Sequence, residues 1–133
     1  MNCAYLCSAI EEAVSAYGYT PYQGDKSYAP TLITRYPAAH LLPPEFHSIE
    51  GRNHGKIRYS IELHLLHQAS RLSPAERNDL LDEMESDLVE IFTLLSEYDS
   101  VAAVEELTLS PVATIDNHGA MAMVAQAEIV TLF

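Results

Sequence analysis

Apolar residues recur every three or four positions in two stretches of this chain and every second position in several others, and that change of period marks out its elements. Between Ser73 and Asp99, Leu80, Leu81, Met84, Leu88, Ile91, Phe92, Leu95 and Tyr98 fall within one arc of roughly 120° at about 100° per residue, which predicts a long amphipathic helix. Ser73-Pro74-Ala75-Glu76 fixes its start. The Ser73 hydroxyl accepts the Glu76 amide, the Glu76 carboxylate reaches back to the Ser73 amide, and Pro74 sits where a missing N–H costs nothing. A shorter helix is predicted over residues 3–17, where Cys3, Leu6, Cys7, Ile10, Ala13, Val14 and Tyr17 share an arc and Gly18 supplies the stop. Both thiols then face inward, and with no further cysteine to complete a zinc ligand set they read as buried thiols.

Alternation takes over from Lys56 to Leu65. Ile57, Tyr59, Ile61, Leu63 and Leu65 form one face, and Lys56, Arg58, Ser60, Glu62 and His64 the other, which predicts a half-buried strand. Leu66 breaks the pattern, so that His67 to Leu72 continue it only through a bulge. A shorter strand is predicted for Thr31 to Tyr36, between Pro30 and Pro37, after a turn-rich connector from Tyr19 to Ala29. Val101 to Ile115 and Ala120 to Phe133 flank Asp116, Asn117, His118 and Gly119, a hairpin tip. Met121, Met123, Ala125, Ala127 and Ile129 share one face of the last strand. Ala120, Ala122, Val124, Gln126 and Glu128 take the other, and neither face is strongly polar. Such a strand is covered on both sides or packs against another subunit; the methionines read as core filler.

The expected architecture is therefore a single α+β domain over residues 1–133 in the order helix-strand-strand-helix-strand-strand, with two helices packed on one face of an antiparallel sheet. Residues 38–55 are left as a long loop inside the first hairpin. Loops of this length in compact domains usually carry function, and His40, Phe46, His47, Arg52 and His54 make this one the expected interaction element. Its histidines are spaced seven apart and match no short metal-ligand motif, while His64 and His67 point to opposite faces of a strand. Neither metal nor cofactor is expected.

Charge changes the picture more than composition does. The chain has 133 residues, 48% of them hydrophobic, which suits one domain with its own core. No apolar run approaches the roughly 20 residues of a membrane span, and the first residues, with Glu11 and Glu12, lack a signal-peptide layout, so a cytoplasmic chain is expected. The net charge of -12 is uneven: residues 1–77 hold seven acids and all seven Lys and Arg, whereas residues 78–133 hold twelve acids and no Lys or Arg. Asp79, Asp82, Glu83, Asp87, Glu90 and Glu97 lie outside the apolar arc of the long helix and form an acidic surface. That surface is either a solvated face or an electrostatic one, meeting a basic partner or lining a passage to which nucleic acid must not adhere. Sequence-general nucleic-acid binding by this half is disfavoured because it has nothing to neutralise phosphates. There is no phosphate loop, nucleophile elbow or His-Glu-x-x-His. Glu62 with His64 or His67 would be catalytic only if the fold assembled them, so no enzyme is expected.

The short first helix, the long hairpin from Thr31 to Leu66, the helix from Ser73 and the final hairpin together resemble, over nearly the whole chain, the tail terminator and head-tail joining proteins of tailed bacteriophages. The resemblance implies a structural, non-catalytic protein: a homo-oligomeric ring, usually of six subunits, that ends the tail tube and presents a surface to the head connector. It implies the cytoplasm of the bacterial host during assembly and the virion afterwards. The alternative is a small soluble adaptor that binds a basic protein through its acidic helix.

Overall fold

A computed structural model describes residues 2–25, 33–112 and 119–133. In chain order these form α1 (Asn2–Ala16), β1 (Thr20–Gln23), β2 (Ala38–Leu41), β3 (Glu45–Gly51), β4 (Gly55–Gln68), α2 (Pro74–Ser96), β5 (Val101–Val112) and β6 (Ala120–Leu132). The fold is α+β, with two helices and a six-stranded mixed sheet in the order β1-β2-β4-β6-β5, to which β3 adds by pairing with β4.

Local chemistry sets the helix ends. Both hydrogen bonds of the capping box are made at the start of α2: Ser73 N–H donates to Glu76 Oε1 and Glu76 N–H to Ser73 Oγ, each at 3.2 Å. At the end of α1, Gly18 takes φ +86°, its N–H donates to the Ser15 carbonyl, and the Tyr19 N–H donates to the Val14 carbonyl. This is a Schellman closure. Its apolar contact falls to Val14 and Tyr19, both buried.

One core joins the helices to the sheet. Leu6, Ile10 and Val14 of α1 and Met84, Leu88, Ile91, Phe92 and Leu95 of α2 meet Tyr59, Ile61, Leu63 and Leu65 of β4 and Met123, Ala125, Ala127 and Ile129 of β6. The period-3.6 and period-2 apolar sets thus close on each other. Cys3 and Cys7 sit half-buried at the margin of this core. Burial, then the neighbouring Cys3 and Glu11, pushes the Cys7 thiol up to about 11.

Four expectations need correction. Residues 38–55 are not a loop: β2 and β3 lie end to end along one edge of β4, β2 on its second half (Ala38↔Leu66 to Leu41↔Leu63) and β3 on its first (Glu45↔Ser60 to Gly51↔Gly55). Pro43 and Pro44 interrupt the backbone donors between them, while the Leu42 N–H donates to the Glu62 carbonyl and keeps the chain on that edge. A fourteen-residue strand has enough backbone groups for two short partners. The strand expected at Thr31–Tyr36 is not formed: Ile33 to Pro37 are irregular, with the Thr34 and Arg35 N–H groups donating to the Tyr22 hydroxyl, and Thr31 and Leu32 lie outside the described residues. The sheet is mixed rather than antiparallel, because β1, in the stretch read as a connector, pairs parallel to β2. Finally, β4 passes Leu66 without a bulge, in unbroken register with β6 from Lys56↔Leu132 to Gln68↔Ala120. The register irregularities fall at Phe46/Ser48 in β3 and at Val101/Ala103 and Glu105/Thr108 in β5, where Glu106 takes φ +54°.

Candidate interaction surfaces

The alternation of β4 divides its polar groups between two settings. His67, in step with Leu63 and Leu65, lies on the core side, where Tyr19, 3% exposed, joins it to α2. The Tyr19 hydroxyl donates to Asp87 Oδ2 at 2.6 Å, so its oxygen accepts from His67 Nε2–H at 2.9 Å, and the two rings meet edge to face. Burial holds the His67 pKa below its ordinary value against the opposing pull of Glu83 and Asp87; burial and then Asp87 hold the Tyr19 pKa far up. Asp87 is therefore no part of a free acidic surface. Its carboxylate turns to the sheet because Tyr19 offers a donor there.

On the other side, Ser60, Glu62 and His64 of β4 stand beside Glu128, Gln126 and Val124 of β6. Glu62 accepts from His64 Nε2 at 2.6 Å and from Gln126 Nε2 at 2.9 Å, and Arg58 donates to both Glu105 and Glu128. Ser60, Glu62, Gln126 and Glu128 floor a trough of about 950 Å³ whose walls are Leu42-Pro43-Pro44-Glu45 and the bulged Glu106 with Thr108. Most of the floor carboxylates are thus already engaged inside the chain. Toward β1 the same side is closed: Ala38 and His40 are buried.

The residues of the expected interaction loop separate accordingly. His40 is 2% exposed, donates from Nε2 to the Gly24 carbonyl at 2.8 Å, and has its pKa lowered by burial. It is a core histidine, because β2 is an interior strand between β1 and β4. Phe46, His47, Arg52 and His54 are exposed on the β3–β4 hairpin, with Phe46 at 61% and Ile49, which the sequence reading did not single out, at 56%. Phe46 stacks edge to face on Tyr59, and Arg52, Asn53 and His54 form the turn between Gly51 and Gly55. At its base Gly55 exchanges two backbone hydrogen bonds with Phe133. Phe46 and Ile49 are three residues apart and share a face only through the bulge between Phe46 and Ser48, so the sequence offers no regular alternation to mark this strand.

Asp79, Asp82, Glu83, Glu90 and Glu97 are exposed along α2, together with Glu85 and with Val89 at 48% exposure. Asp116, Asn117 and His118 of the expected hairpin tip lie outside the described residues; Gly119 has φ +78°. Among the described residues, no three His, Cys, Asp or Glu are placed to hold a metal ion, and no helix is long and apolar enough to cross a membrane. No protein-family model matches the chain, and no curated protein matches it.

Proposed function

We propose that the chain is a structural assembly protein of a phage or prophage tail, whose copies close into a ring, hexameric by resemblance, that ends the tail tube and joins it to the head connector. The observation that supports this most is the trough side of the sheet. Both helices are read as covering the core side, while the long central strands β4 and β6 leave their other side to the trough, with no helix over it among the described residues. A sheet face of this kind, walled by a proline-stiffened segment and a bulged strand, is a surface for another protein to cover. Several of its polar groups are held by bonds within the sheet, Glu62 by His64 and Gln126 and Glu128 by Arg58, which suits a surface that binds. In this reading the protein works first in the cytoplasm of the bacterial host and then in the virion.

The exposed carboxylates of α2, of which Asp79, Asp82, Glu85 and Glu90 have no ion pair among the described residues, favour a second reading, an adaptor that binds a basic protein and does not self-assemble. Native mass spectrometry with negative-stain imaging separates the two. The expected result is a closed ring, alone or on addition of tail tube protein; a monomer at every concentration with no ring on tube protein overturns the assembly reading, and salt-sensitive binding of a cationic protein by that monomer establishes the adaptor.

A further inference from the structure

Cys3 and Cys7 are the only cysteines of the chain, both are free, and the assembly reading uses neither. α1 sets them at positions i and i+4 of an unbroken helix, which puts them one turn apart on one face. Neither thiol is sealed in the core: both residues are partly exposed at its margin, on the stripe of α1 that continues to Glu11. After burial, the Cys3 thiol is the next cause of the raised Cys7 pKa, so the two sulfurs lie within reach of each other. Tyr59 of β4, itself buried, has its pKa raised by burial first and then by Cys3 and Cys7, which places its ring beside both.

We propose that this pair is a binding site for a soft, two-coordinate cation of the monovalent copper class, held as a bridge between the two sulfurs. Spacing selects this chemistry over a disulfide. Side chains at i and i+4 of a helix keep their Cβ atoms about 5–6 Å apart, whereas a disulfide needs them at about 3.5–4.5 Å. Joining the sulfurs directly would therefore unwind the first turn of α1. An ion inserted between them adds two metal–sulfur bonds, each of about 2.3 Å if zinc thiolates are the guide, and spans the gap with the helix intact. Ligand number selects the ion over zinc, which takes four ligands in a structural site: among the described residues, no third His, Cys, Asp or Glu joins the pair. Thiolate ligands also select soft ions such as Cu(I). On binding, the ion displaces both thiol protons to solvent and nothing is oxidised or reduced. The bridge carries one net negative charge, placed at the end of the helix dipole that favours an anion. Asn2, next to Cys3, donates from Nδ2 to Thr131 Oγ1 and to the Leu132 carbonyl, so a bridge that fixes this turn also fixes how α1 sits on the end of β6.

Cu(I), kept reduced with ascorbate under nitrogen and offered to the full chain as its bicinchoninate complex, tests the site. The expected result is transfer of one ion per chain, seen as bleaching of the chelator and as added mass in native mass spectrometry. Circular dichroism is expected to stay unchanged and the α1 amides to exchange more slowly. Cys3→Ser and Cys7→Ser, each with the circular dichroism of the parent, are expected to weaken binding by about a hundredfold or more. Cys7→Ser with Ser8→Cys keeps two thiols but moves one off the shared face, at an exposed position that leaves the core alone, and is expected to weaken binding by about tenfold or more. The proposal is overturned if the parent takes no ion, or if any of these variants holds it as tightly as the parent. It is also overturned if the parent purified without reductant is lighter by two hydrogens and shows no free thiol, the result expected of a disulfide. The site lies within one chain, so none of these outcomes depends on whether copies close into a ring.

Discussion

At the scale of single residues, the two histidines that matter to the fold are the ones no motif marks. His40 and His67 each use Nε2–H as a donor, to the Gly24 carbonyl and to the Tyr19 hydroxyl, and burial holds both below their ordinary pKa. A lowered folded-state pKa means that the unfolded chain takes up the proton first. The neutral imidazoles therefore stabilise the fold fully above about pH 6.5, and that contribution is lost as pH falls from there toward the folded values. In urea unfolding at pH 7.5 and 5.0, a His67→Phe variant is expected to lose less of its midpoint between the two than the parent does; an equal loss in both overturns the assignment. The sequence reading ended the alternation at Leu66, just before His67, whereas the strand runs on through both in unbroken register. The partners of His67, Tyr19 and Asp87, stand 48 residues before it and 20 after it, a separation at which no local pattern operates. Gly55 is a comparable case from the backbone: a Cβ there would lie 2.0 Å from the Glu50 carbonyl oxygen and 2.7 Å from the Phe133 ring. Gly55→Ala is expected to shift or open the β3–β4 hairpin, read as the loss of Glu50–Phe133 amide protection in hydrogen exchange with the core amides retained.

At the scale of elements, α2 came out as its sequence reads except at Asp87, which Tyr19 draws to the sheet. Its cap, its seam and its outer face are all local properties, fixed by hydrogen-bond reach over three residues and by a 3.6-residue period. Met84, Leu88 and Leu95 are fully buried in the seam, so Leu88→Ala is expected to cost about 2–5 kcal/mol in chemical denaturation, a large fraction of the stability of an ordinary domain. Ser73→Ala, which removes only the cap, is expected to cost about 1 kcal/mol. The strands tell the opposite story. β4 and β6 were legible because long alternation needs no partner to be seen, but β1 and β2 have four residues each, too few for a period to emerge. β2 is a strand because β4 has free backbone groups along that edge, and β1 because β2 then offers its own, which are facts about neighbours.

At the scale of the molecule, the uneven charge is the organising feature. Among the described acids of the second half, Asp87, Glu105 and Glu128 are drawn into bonds with Tyr19 and Arg58, while the outer face of α2 stays unpaired. Screening should therefore act with opposite signs on fold and assembly. Raising salt from about 20 to 300 mM spans a large fall in the Debye length; the thermal midpoint of the isolated chain is expected to rise as repulsion among these carboxylates is damped, while assembly that uses the acidic outer face of α2 weakens. Calorimetry and light scattering on the same samples read the two, and a midpoint that falls with salt counts against net repulsion. The sequence by itself determined the α+β class, the two amphipathic helices with their ends, the half-buried long strands and the placement of the acidic excess, because each follows from periodicity, capping or counting along the chain. Only the tertiary structure decided that residues 38–51 supply two strands, β2 and β3, end to end along β4, and that His40 and Asp87 leave the surface. Those outcomes depend on which backbone groups and side chains distant segments bring within bonding reach, and no spacing along the chain encodes that.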